Sequence, residues 1–144
     1  MTKQEKCICI QLRGAARTLT SYYNAMLGPV GITINQYSLL HHLQELGIAN
    51  MSALAEELRL DRSTLARNIK PLIAAELVCD SAISGTRNKQ LQLTEIGEQR
   101  LLHAKKLWKK AQLCIEEQLG EKRLKSLTKA LAKIETIGGH TDDL

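Results

Sequence analysis

The chain has 144 residues, 44% of them hydrophobic and 24% charged, which suits one ordinary soluble domain with a buried core and argues against a multi-domain enzyme. Its formal net charge of +5 fits an anionic partner, so the position of that charge along the chain matters more than its size. Only four aromatics are present (Tyr22, Tyr23, Tyr37, Trp108), which argues against RNA or single-strand binders that stack bases on aromatic platforms.

From Ile8 the apolar residues Ile8, Leu12, Ala15, Leu19, Tyr22 and Met26 recur at steps of four and three, one face of a helix that should end near Gly28 and Pro29. Thr33 then reads as an N-cap with Gln36 completing a capping box, and Tyr37, Leu40, Leu43 and Leu46 form the next stripe, closed by Gly47. A third helix is expected from about Ser52 as its cap, burying Met51, Leu54, Ala55 and Leu58. After a break of about three residues, Asp61 can cap a fourth helix with the buried stripe Leu65, Ile69, Leu72 and Ile73. That pair is a helix-turn-helix. Pro71 lies inside the fourth helix and should kink it.

Beyond Glu76 the period changes to that of a β-hairpin: Leu77-Val78-Cys79, a turn at Ser84-Gly85-Thr86-Arg87-Asn88, then Leu91 and Leu93. A hairpin directly after a helix-turn-helix is a wing. Thr94 can cap a long fifth helix carrying Leu101, Ala104, Trp108, Ala111, Ile115 and Leu119. Gly120 punctuates it, and a sixth helix presents Leu124, Leu127, Leu131 and Ile134. The expected class is mainly α: a winged helix-turn-helix with a small β-hairpin wing, flanked by helices.

The chemistry concentrates on the fourth helix. Ser63, Arg67 and Lys70 face away from its apolar stripe with Thr64 and Asn68 beside them, a set of forked donors, hydroxyls and an amide suited to base edges and phosphates in a major groove. Between Arg59 and Lys89 there are six basic residues against three acidic, so this stretch carries +3 of the chain's +5. Arg87 falls at the expected hairpin tip, placed to enter a minor groove, with Lys89 just after it. Lys105, Lys106, Lys109 and Lys110 read as a solvated face of the fifth helix.

The run Asp61-Arg62-Ser63-Thr64-Leu65-Ala66-Arg67-Asn68-Ile69-Lys70-Pro71-Leu72, with Glu76-Leu77-Val78 and the Arg87 to Thr94 segment closing on Gly97, resembles the MarR family of bacterial winged helix-turn-helix transcription regulators. The resemblance spans nearly the whole chain. It implies a single domain over 1–144, with a DNA-binding unit at about 33–94 and dimerisation helices at about 5–28 and 95–138. It also implies a homodimer on double-stranded DNA with an inverted repeat, each recognition helix in a major groove and each wing arginine near a minor groove. Gly85 departs from the family pattern, which usually has an acidic residue there. Independently, the apolar stripes of the first and last helices exceed what a winged unit of about 60 residues can bury, which calls for a partner chain. A monomeric bundle folded back at Gly120 is the alternative.

The signal such a regulator responds to has two readings. A small apolar or phenolic acid would bind between the dimerisation helices and the DNA-binding unit, the site the family commonly uses, with Arg13, Arg17, Tyr37 and His41 as candidate contacts. Each has a structural alternative as a core tyrosine, a surface histidine or an ion-pairing arginine. Alternatively, Cys9, Arg17, Thr20 and Tyr23 fall at spacings similar to the organic-hydroperoxide-sensing branch of the family, with Arg13 and Ile34 where that branch places tyrosines. Arg13, one turn from Cys9, would favour a thiolate. The plainer alternative makes Cys7, Cys9, Cys79 and Cys114 small buried fillers.

Four scattered cysteines do not make a secreted disulfide framework, and no Cys or His set has metal-ligand spacing, so neither metal nor cofactor is expected. Without an apolar run of about 18 residues or a signal peptide, a cytoplasmic location and no membrane partner are expected. An enzyme is not expected, since no nucleophile-base pair or phosphate-cradling loop appears. A helical protein-protein adaptor is the remaining non-DNA alternative, disfavoured by the arginine at the hairpin tip.

Overall fold

The computed structural model describes residues 7–82 and 89–138. The chain forms two compact units, Met1–Trp108 and Lys109–Leu144. In the first, α1 (Ile8–Leu27) passes into a 3-10 turn (Gly28–Val30) started by Pro29 and closed by Gly31 in the left-handed region, as the Gly28-Pro29 signal requires. Asn24 Oδ1 accepts a hydrogen bond from the Ile34 amide at 2.8 Å, fixing the end of α1 to the start of α2 (Ile34–Leu46). The expected capping box is present: Thr33 Oγ1 accepts from the Gln36 amide and Gln36 Oε1 from the Thr33 amide.

Two sequence expectations shift by a residue or two. The cap of α3 (Met51–Leu58) is Asn50, not Ser52: its Oδ1 accepts from the Ala53 amide at 2.7 Å, and asparagine caps as well as serine. On α2, Leu39 is buried and Leu46 is 40% exposed, because Leu46 is the last helical residue and lies past the edge of the core. Otherwise the stripes of the second, third and fourth helices hold, and Leu27, Leu40, Leu43, Leu54, Leu65, Ile69, Leu72, Leu77 and Leu101 form one core. Pro71 does not break α4 (Arg62–Ala74), which runs on until the Ala75 amide bonds the Pro71 carbonyl.

The wing stem is an antiparallel pair, β1 (Val78–Asp80) and β2 (Leu91–Leu93), in the register Val78 to Leu93 and Asp80 to Leu91. Ala49 and Leu91 exchange both backbone hydrogen bonds, so the segment before α3 extends the sheet by one residue. The predicted tip, including Gly85 and Arg87, lies outside the described residues. Thr94 caps α5 (Glu95–Glu135) as expected, its Oγ1 accepting from the Gly97 amide at 2.9 Å. Arg100 Nη1 donates to the Val30 carbonyl at 3.2 Å, tying the start of α5 to the turn after α1.

Gly120 has φ 78° and ψ 159°, so α5 is two helices joined at a kink, in keeping with the expected fifth and sixth helices. In the second unit, Leu127, Leu131, Ile134 and Ile137 are exposed at 38–60%. In the first, the α1 stripe is open too, with Ile8 60% exposed and Leu19 41%.

Candidate nucleic-acid interface

Backbone hydrogen bonds close the C-terminal end of α3 at the turn before α4. Arg59, at φ 55°, is the left-handed C-cap of α3, and the Arg59 and Leu60 amides bond the Glu56 and Ala55 carbonyls. Glu76, at φ 61°, ends α4 the same way, with the Glu76 and Leu77 amides on the Ile73 and Leu72 carbonyls. Both positions usually take glycine, which is why composition gave no sign of them.

At the start of α4 the Asp61 carboxylate accepts from the Thr64 amide at 2.6 Å and from Ser63 Oγ at 3.0 Å. These hydrogen bonds to Thr64 and Ser63, aided by the Arg67 charge, hold its carboxyl below the usual carboxylate range. One turn on, Arg67 Nη2 donates to Thr64 Oγ1 at 3.3 Å.

The predicted DNA-facing residues of α4 fall into two rows. Ser63, Arg67 and Lys70 are exposed on one face, aligned by the helical repeat. Thr64 and Asn68 are half-buried and turn toward α2, where with Asn35, Ser38, Leu39, Leu58 and Leu60 they line a cavity of about 340 Å³. Lys89 is exposed at the foot of the wing. Arg87, as part of the tip, has no described position.

Asp80 organises that foot and was not singled out from sequence. Its Oδ1 accepts from the Ala82 amide at 3.0 Å and the Gln90 amide at 2.9 Å, bridging the two sides of the stem. Those two bonds, with Lys89 adding a smaller attraction, hold its carboxyl below the ordinary range. The signal available was an aspartate at the end of a strand entering a turn.

The candidate effector residues divide as well. Tyr37 is buried and stacks on Trp108, with ring centroids 5.8 Å apart, and on His41 at 6.1 Å. Burial raises the Tyr37 phenol above its ordinary value. His41 Nε2 stands 3.3 Å from Glu45 Oε1, while its Nδ1 is buried with no hydrogen-bond partner among the described residues. Trp108 was read from sequence as α5 core; its stacking on Tyr37 makes it part of this aromatic column. Arg13 and Arg17 are exposed on α1 and make no hydrogen bond or ion pair among the described residues.

The cysteines are free: in the single chain Cys7, Cys9 and Cys114 are exposed and Cys79 is half-buried, so none is fully buried within one chain. Cys7 is the N-cap residue of α1, with no side-chain cap bond, and Cys9 sits in its first turn. Among the described residues no group of three or more His, Cys, Asp or Glu side chains is placed to hold a metal, and no helix is long and apolar enough to cross a membrane.

The sequence profile of the MarR family matches residues 32–80, the stretch from α2 through β1. The transcriptional regulator MosR of M. tuberculosis, solved in complex with DNA, is 30% identical over 92% of this chain and 98% of its own, with a TM-score of 0.78. The chain belongs to the MarR family. Members of that family are DNA-binding transcriptional regulators and not enzymes.

Other MarR-type structures share the fold at lower identity. A cysteine-to-serine mutant of MarR from E. coli, complexed with operator DNA, matches at TM-score 0.80 and 18% identity, covering 88% of this chain and 92% of its own. NadR in complex with 4-hydroxyphenylacetate matches at TM-score 0.68 and 26% identity, covering 93% and 96%. No curated protein sequence gives a significant match. In this MarR-family chain the matched stretch holds the whole α3-α4 pair, so the exposed row of α4 lies within the part the family defines.

Proposed function

We propose that this chain is a homodimeric repressor that binds an inverted repeat in duplex DNA and is released by a small effector. The observation that carries it is the exposed row Ser63, Arg67 and Lys70 on a helix whose other face is locked into the core. In this reading Arg67 reads a base edge, Ser63 and Lys70 hold phosphates, Thr64 and Asn68 flank them, and Arg87 and Lys89 act from the wing. The exposed apolar stripes of α1 and of the segment after Gly120 are covered by a second copy. The site of action is the cytoplasm.

Enrichment of binding sites from a random duplex pool tests the reading. It should return sites with dyad symmetry and half-sites about one helical turn apart, roughly 34–36 Å. Affinity should fall with rising salt as phosphate contacts release counterions. Asymmetric sites, or a salt-independent affinity, would overturn it.

For the effector, the unpartnered His41 Nδ1 beside the Tyr37 and Trp108 rings supports an aromatic ligand with a hydroxyl donor, with Arg13 and Arg17 meeting its carboxylate. The 4-hydroxyphenylacetate of NadR has that chemistry and is the first compound to test for release of DNA. The exposure of Cys9 favours a second input, oxidation of its thiol by a peroxide.

A further inference from the structure

An open groove of about 450 Å³, a size that takes a small molecule, lies where the end of α4, the wing stem and the start of α5 meet. Its surface is mostly apolar: Ile73 of α4, Val78 of β1 and Ile96 of α5 line it, and Ile96 stays 48% exposed. The charged side chains on its walls are two carboxylates, Glu76 and Asp80, both exposed. Its other polar groups are the half-buried Cys79 thiol and the Thr94 hydroxyl, which already donates to the Glu76 carbonyl and accepts from the Gly97 amide. None of these residues belongs to the exposed row of α4 or to the aromatic column of Tyr37, His41 and Trp108.

We propose that this groove binds a small apolar organic cation, an arylalkylammonium, with Glu76 and Asp80 meeting its charge and Ile73, Val78 and Ile96 its body. The walls decide the sign of the ligand. An anion would meet two carboxylates and no cationic side chain among the lining residues, whereas a cation gains from both acids. Lys89 attracts Asp80 but does not line the groove. The Ala82 and Gln90 amides hold the Asp80 carboxylate in place, so its charge stands at the rim before a ligand arrives and little side-chain freedom is lost on binding. A metal ion is the wrong cation: among the described residues no group of three or more His, Cys, Asp or Glu side chains is placed to hold one. An organic ammonium needs only negative charge near its head and apolar area along its body. The soft Cys79 sulfur suits the edge of an aromatic ring.

Benzyltrimethylammonium is the probe, and benzoate, with the same ring and the opposite charge, is its control. In a chain carrying Cys7→Ser, Cys9→Ser and Cys114→Ser the sole thiol is Cys79. Its rate of alkylation by N-ethylmaleimide should fall as the ammonium fills the groove and should not change with benzoate. Titration of that rate gives the affinity. Glu76→Gln and Asp80→Asn should each weaken it about fivefold, the value of one unit charge at about 4 Å in water. Asp80→Asn keeps an acceptor for the Ala82 and Gln90 amides, so the foot of the wing stays formed. Ile96→Lys, a change at an exposed position, should abolish protection by placing a cation in the groove. Protection by benzoate equal to that by the ammonium would overturn the site, as would full protection in all three variants. So would unchanged alkylation at roughly 10 mM ammonium, where a millimolar site is filled.

Discussion

Gly97 lies against the Leu77 carbonyl, and a β-carbon at position 97 would stand 2.0 Å from that oxygen. Around this contact Thr94 Oγ1 donates to the Glu76 carbonyl and accepts from the Gly97 amide, and the Thr94 amide donates to the Leu77 carbonyl. The end of α4, the foot of the wing and the start of α5 therefore meet at one residue without a side chain. Gly97→Ala must push backbone away from backbone and should cost about 3 kcal/mol, the upper end for overpacking. Gly14→Ala on α1, where an added β-carbon meets nothing within 4 Å, should be tolerated. Urea unfolding midpoints of the two variants check the contrast.

The exposed row of α4 and the wing arginine predict two kinds of defect. Arg67→Ala should cost roughly 1–3 kcal/mol and relax preference at one position of each half-site. Lys70→Ala should weaken all duplexes alike and lower the salt slope by about 1. Arg87→Ala should also weaken specific and random sites evenly, through groove shape and phosphates. Equal losses on specific and random DNA for Arg67→Ala would make it a backbone contact only.

Acid should act through Asp61 and Asp80, whose carboxyls sit below their ordinary values in the fold. A depressed folded pKa gives stability that is present above the unfolded value, about 3.9, and is lost as pH falls through the folded one. Below about pH 4 the wild-type chain should therefore lose stability faster than Asp61→Asn, in which the cap is kept without a titrating group. Thermal melts from pH 6 to pH 3 on both proteins measure the difference, and parallel curves would remove Asp61 from the account.

Much of this fold is legible because periodicity and capping are local. Thr33 with Gln36, Asp61 and Thr94 each name a helix start, and Gly47 and Gly120 name breaks, without reference to the rest of the chain. The less legible features are those set by tertiary context. Arg59 and Glu76 take the left-handed conformation without being glycine, so no composition signal marks them. Which neighbours of Arg67 face outward depends on α2 lying against Thr64 and Asn68, and the Tyr37-Trp108 stack joins residues 71 positions apart (108 less 37).

The aromatic column predicts a selective defect. His41→Ala removes the unpartnered acceptor without touching α4, so affinity for DNA should be unchanged. The concentration of a phenolic acid needed for half-release should rise roughly 3- to 10-fold, the value of one hydrogen bond. Arg13→Ala and Arg17→Ala should weaken response to the acids more than to the matching neutral phenols. Displacement titrations with paired acids and phenols separate these effects, and an unchanged response in all three variants would move the effector elsewhere.

Cys9 carries the remaining prediction. It is exposed in the first turn of α1, one turn before the exposed Arg13, where a peroxide can reach its sulfur. Oxidation to a sulfenic acid would place polar bulk beside the α1 stripe, which includes the exposed Ile8 and Leu19. If a second copy covers that stripe, the added bulk would alter the spacing of the two recognition helices and release DNA. Cys7 occupies the N-cap position two residues away, so it must be tested beside Cys9. An organic peroxide should release enriched duplex from the wild type and from Cys7→Ser, but not from Cys9→Ser. A Cys9→Ser chain that responds like the wild type, or a wild type that ignores peroxide, would leave the bound small molecule as the input.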